Sequence, residues 1–217
     1  MNWLNKLERK FGNWAIPNLI VWLIGAYTIG FVLYQVNPSI IGLLMLSPYH
    51  ILHGQVWRLI TWVFMPTDTN LVYLLIMALF YYQLGTTLER TWGTFRFNMY
   101  FISGWFLNIV AAFILYGTLH SVQYLSGFQY IYWSMFFAFA TINPNMEFLF
   151  WFVIPIKVKW LAILDAVYLL YNVFQYVTTG IACINRGMTS VGGQYFSVAF
   201  AILVAMANFL IYFFASM

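Results

Sequence analysis

Residues able to carry acid–base or nucleophilic chemistry are few: three histidines, five carboxylates and one cysteine in 217 residues. His50 and His53 stand three apart, a spacing that puts two rings on one helix face and could suit a metal ion. No carboxylate or cysteine lies near them to complete a tetrahedral site, so they read as interfacial polar residues, and neither metal nor cofactor is expected. Asp165 interrupts an apolar run six residues past Lys159, about 9 Å along a helix. An acid at that depth is a functional candidate unless it reaches the interface or pairs with a lysine or a tyrosine hydroxyl. Glu89 precedes Arg90 and reads as a cap or ion pair that fixes a turn. Ser134 is a conceivable nucleophile, but His50, His53 and His120, the available bases, all fall in connections on one side of the chain's predicted topology.

The elements that must position these residues are membrane helices. Apolar residues make up 64% of the chain and charged residues 6%, too few to cover a soluble domain's surface. The net charge of +4 comes from scattered Lys and Arg, so nucleic acid is not an expected partner. Cys183 alone excludes an internal disulfide. Residues 1–13 place Trp3, Leu4, Leu7 and Phe11 against Lys6, Glu8, Arg9 and Lys10, the pattern of an amphipathic helix lying in the interface. They are too polar for a cleaved signal core. Residues 14–217 form the membrane domain, with six expected spans near 15–36, 70–88, 97–116, 124–142, 158–177 and 191–214. Residues 37–58 form a long apolar connection, expected to lie half in one leaflet. Residues 148–156 are too short to span and contain Pro155, so an interfacial or re-entrant connection is expected there.

Basic residues orient this topology. With the N-terminus inside, Lys6, Arg9, Lys10, Arg90, Arg96, Lys157 and Lys159 are inside, and only Arg58 and Arg186 are outside. Both termini are then cytoplasmic. Gly193, Ser197, Ala201 and Ala205, four apart, form a small-residue stripe on the last span, and Ser134 and Ala138 make a smaller patch on the fourth.

The stretch from Gln55 to Gly104 carries a resemblance. Trp57-Arg58 precedes the second span, and Leu84-Gly85, Glu89 and Gly93 follow at spacing four. This resembles the core signature of the rhomboid superfamily, and the likeness extends over all six spans. It implies an all-α, six-transmembrane-helix bundle with a membrane-embedded first outer loop. Rhomboid proteases carry a serine in a Gly-x-Ser element opening the fourth helix and a histidine before paired glycines in the sixth. The matching elements here are Gly127-Phe128-Gln129-Tyr130 and Ser190-Val191-Gly192-Gly193, so Gln129 and Ser190 occupy the places of nucleophile and base. The His and Asn expected in the second helix are also missing: residues 67–84 hold no His, and their one Asn is Asn70 at the start. The resemblance therefore implies a non-enzymatic relative, like the derlins, that binds transmembrane segments of client proteins laterally. Gln129, Tyr130, Ser134 and Ser190 are the candidate client-facing residues, and membrane lipids are further partners. Trp57, Arg58, Gly85, Glu89, Gly93, Gly127, Gly192 and Gly193 are the structural signature. Two alternatives stay open: an obligate subunit of a larger membrane complex, and an intramembrane serine protease with a displaced dyad. The short chain favours a bacterial plasma membrane.

Overall fold

Six prolines punctuate the chain, and none stands inside a long helix. Hydrocarbon offers no water to satisfy a broken backbone ladder, so uninterrupted helices are the stable form of such apolar runs. The computed structural model describes residues 3–66, 70–119, 128–150 and 154–216. Its helices are α1 (Trp3–Phe11), α2 (Leu19–Val36), the short α3 (Ile41–Leu44), α4 (Pro48–Leu52) and α5 (Arg58–Thr61), then α6 (Leu71–Trp92), α7 (Thr94–Leu119), α8 (Phe128–Ile142), α9 (Val158–Asn185) and α10 (Thr189–Ser216). A two-stranded antiparallel hairpin, β1 (Glu147–Phe150) with β2 (Ile154–Lys157), links α8 to α9.

By length and composition, α2, α6, α7, α9 and α10 are able to cross a membrane. The described part of α8 has 15 residues, about 22 Å of rise against a hydrocarbon core of roughly 30 Å. Protein encloses it: Ile131, Met135 and Phe139 are fully buried, and Tyr132, Phe137 and Ala138 nearly so. The N-terminal part of the expected fourth span, residues 124–127, lies outside the described residues.

The structure sharpens three expectations about elements. The first span begins at Leu19, not Ala15, because Asn18 takes a left-handed conformation (φ 54°) after Pro17. Residues 147–150 and 154–157 pair as short antiparallel strands, with Glu147 opposite Lys157 and Phe148 opposite Ile156, in an otherwise helical membrane protein. Helices α6, α7, α9 and α10 run longer than their expected spans, α9 by eight residues beyond Val177.

The 37–58 connection is folded rather than extended. Asn37 caps a 3₁₀ turn at Pro38–Ile40, α3 and α4 follow, and Leu46 and Ile51 are buried while Leu43, Leu52 and Val56 stay exposed. The chain then returns against α2, where a side chain at Gly30 would overlap the Phe64 carbonyl. Between helices in lipid, close van der Waals packing and interhelical hydrogen bonds replace the hydrophobic effect. Small residues accordingly mark the tightest crossings. Gly192 of α10 meets Ile184 and the Gly180 carbonyl of α9, and Ser197, Ala201 and Ala205 are buried in the bundle.

Candidate functional site

Arg58 organises the outer connection. It is buried at 2% exposure, and its guanidinium donates to Gln55 Oε1 (2.7 Å), Gly42 O (2.7 Å) and Met45 O (2.9 Å). A planar fork of donors suits several carbonyls at fixed angles. Thr61 Oγ1 adds a bond to Leu44 O (3.2 Å), and Trp57 Nε1 one to Leu43 O (3.4 Å). Trp57 itself is exposed, as a boundary tryptophan would be. The pair therefore fastens residues 42–45 to the start of α5. Beside it, Ser47 Oγ lies 2.9 Å from His50 Nδ1, and His53 Nδ1 lies 2.7 Å from the Tyr49 carbonyl. Partial burial first, then the nearby Arg58 and His53, hold the His50 imidazole below its ordinary pKa.

The Gly85, Glu89, Gly93 spacing resolves into three roles along one face of α6. A Cβ on Gly85 would come within 2.5 Å of Ile20 Cγ1, so glycine lets α2 cross α6 there. One turn on, Glu89 Oε1 accepts the Asn18 N–H (2.9 Å) at the start of α2, placing a carboxylate where the helix dipole is positive. Glu89 is buried, and its partner is thus the α2 N-terminus, while Arg90 is exposed. At Gly93 the helix stops, with φ 86° and its N–H bonded to the Glu89 carbonyl (2.9 Å), a conformation that favours glycine. Asn98 completes the latch through Ile16 N (3.0 Å) and Ile16 O (2.9 Å).

A polar cluster ties α7, α8 and α10. Tyr100 Oη and Ser134 Oγ are 2.5 Å apart, and Ser134 also donates to Ile131 O (2.8 Å). Ser103 Oγ donates to Asn208 Oδ1 (2.7 Å), Asn208 Nδ2 to Tyr100 O (3.2 Å), and Tyr212 Oη to Arg96 O (2.7 Å). Arg96 in turn pairs with Glu8 (3.1 Å), anchoring α1 to α7.

The sequence-derived candidates separate. Ser134 is 1% exposed and Tyr130 is buried, so neither side chain opens to a client as placed. Ser190 stands exposed at the start of α10, while Gly192 and Gly193 are buried. Gln129 lies on the first turn of α8, its side chain outside the described residues, as are Gly127 and His120 in full. The expected meeting of Gln129 with Ser190 therefore lies outside the described residues too.

An apolar opening that the described side chains form lies elsewhere. A groove of about 590 Å³ runs between α6, α8 and α9, lined by Ile76, Met77, Phe80 and Tyr81, by Tyr132, Trp133 and Phe136, and by Leu161 and Asp165. Tyr81 and Tyr132 stack at its floor (centroids 4.4 Å, 20° between planes), and Phe148 of β1 closes one end against Phe80 (5.7 Å) and Phe139 (6.1 Å). No local signal in the sequence joined α6 to α9, some 80 residues apart.

Apolar helices of membrane length and a nearly uncharged surface define an integral, multi-pass helical membrane protein. The particular family follows from comparison: residues 18–205 match the model of the family described as "Eukaryotic integral membrane protein (DUF1751)", and the chain belongs to that family. No curated protein and no solved structure matches the chain. The family's description is eukaryotic, which points away from the bacterial membrane favoured by the chain's shortness.

Proposed function

We propose that the protein is a non-catalytic, rhomboid-like membrane protein that receives transmembrane segments of other proteins sideways into the α6–α8–α9 groove. In this reading α8 is the fourth span and brings the count to six, both termini are cytoplasmic and the chain resides in the plasma membrane. The observation that carries it is the groove itself, about 590 Å³ of mostly aromatic and aliphatic lining between helices and open to the outside of the bundle. Shallow apolar surface of that kind suits a helix, whose side chains can pack between Met77 and Trp133 without expelling ordered water. Two further observations support the absence of catalysis. Gln129 stands where the resemblance places the nucleophile, and an amide cannot attack a peptide bond. Ser134, which a displaced dyad would use, is sealed against Tyr100.

One observation favours the second reading, a fixed subunit of a larger complex. α9 is the least enclosed of the long helices and exposes Trp160, Tyr168, Tyr171 and Phe174, a broad aromatic face for a permanent neighbour. Photo-crosslinking in cells from position Met77, in the groove, with Val32 on α2 as reference, separates these readings. Lateral client binding gives a family of intact membrane-protein adducts at Met77 that Val32 does not give. A single stoichiometric partner replaces it with the subunit reading, and shortened products at Met77 restore proteolysis.

A further inference from the structure

Among the described residues, Asp165 is the one ionisable carboxylate or base lining the groove, and it stands half-exposed among apolar walls. It lies seven residues into α9, roughly 10 Å along the axis from the end that carries Lys157 and Lys159. No hydrogen bond or ion pair to a described residue holds its carboxylate. The nearest basic candidate on its own helix is engaged otherwise, with Lys159 Nζ 5.6 Å over the Trp160 ring. Tyr81, across the groove, feels the acid's charge and brings no positive charge of its own. The other described groove residues are aliphatic or aromatic, so none of them neutralises the acid.

A carboxylate placed in hydrocarbon is costly and persists where a partner, water or function compensates it. Here the missing partner is a cation delivered from outside the chain. Resting on the lateral-binding reading above, we infer that the groove prefers a transmembrane segment bearing a lysine or arginine about two turns inside the membrane, which pairs with Asp165. A lipid amine sits at the rim and would have to descend past Trp160 and Leu161. A basic side chain on a docked helix arrives at that depth already held by its own backbone. The aromatic walls suit such a residue as well, because they can stack on its stem or its guanidinium. The charge also gives the groove selectivity that its apolar lining cannot supply, since one apolar span resembles another.

The test uses the full chain in lipid nanodiscs with a photo-crosslinker at Met77. Three synthetic single-span segments of about twenty residues serve as probes, identical except for Lys, Leu or Asp at the depth of Asp165. Capture of the Lys segment exceeds that of the Leu segment on the order of five- to tenfold, the range of interhelical polar contacts in bilayers. Asp165→Asn removes the preference, and Asp165→Lys transfers it to the Asp segment. Equal capture of Lys and Leu segments by the unaltered protein overturns the charge preference and leaves the groove reading standing. Preference that survives Asp165→Asn, or a charge swap that selects nothing while Leu is still captured, shows that residue 165 does not set it. Capture of none of the segments refutes lateral binding itself.

Discussion

Replacing Arg58 by methionine isolates what holds the outer connection together. Methionine keeps the length and apolar stem but supplies no donor, so the Gly42 and Met45 carbonyls and the Gln55 side chain each lose a charged hydrogen bond. A polar group left without its partner costs about 1–3 kcal/mol when buried. Gly42 is exposed and Met45 and Gln55 are half-exposed, so water or headgroups can satisfy part of the loss. The expected cost is therefore about 2–4 kcal/mol, toward the lower end for three such groups. Arg58→Lys recovers only part of it, because one ammonium cannot address three acceptors as a planar fork does. Equilibrium unfolding in mixed micelles gives the free energy, and protease sensitivity of residues 37–57 reports where the damage lies. Arg58→Met should loosen that connection while leaving α9 and α10 packed. A cost below about 1 kcal/mol with unchanged loop protection would refute the role assigned to Arg58.

Other perturbations test separate joints. Gly85→Val sets a branched side chain against Ile20, whose Cγ1 lies 2.5 Å from the would-be Cβ, and should destabilise by about 1–3 kcal/mol; an added Ile20→Ala should restore part of that in the same unfolding assay. Glu89→Ala removes the acceptor of the Asn18 N–H and should cost about 1 kcal/mol, while Glu89→Gln, which keeps an acceptor oxygen, should cost less. His50 supplies the pH test. Its folded pKa lies below the unfolded value near 6.5, so its contribution is present above about pH 6.5 and is lost as pH falls through the lower folded value. The thermal midpoint should accordingly drop on acidification below about pH 6.5, and His50→Gln should shrink the drop; an unchanged pH profile in that variant contradicts the assignment.

The legible and illegible parts of this molecule divide by the range of the interactions. Proline and charge positions marked the helices within a turn or two, because backbone satisfaction in an apolar medium is a local constraint. Gly85, Glu89 and Gly93 announced a special turn through spacing alone. Their partners Asn18 and Ile20 lie some 65 to 71 residues away, and nothing local named them. The same limit hid Asn98, Tyr100 and Asn208. A polar residue in a span reads alike whether it faces a cavity or a neighbouring backbone, and Asn208 finds its partners more than 100 residues back. Ser134 looked available because the sequence cannot show Tyr100 closing over it. The strand pair at 147–150 and 154–157 was not named because a short apolar run with a proline fits a strand and an interfacial segment equally. Asp165 was visible as an intramembrane acid, but the groove around it exists only once α6, α8 and α9 are brought together.

The most direct measurement of lateral binding is site-specific lipid exclusion. Bimane is attached at Met77→Cys in a Cys183→Ser background, the protein is placed in brominated lipid, and a single-span segment is titrated in. Val32→Cys on α2 is the reference position. Lateral binding predicts that the segment relieves quenching at residue 77 in a saturable way and leaves residue 32 quenched. Quenching at residue 77 that persists at every segment concentration, or that is relieved equally at residue 32, would contradict a client groove between α6, α8 and α9.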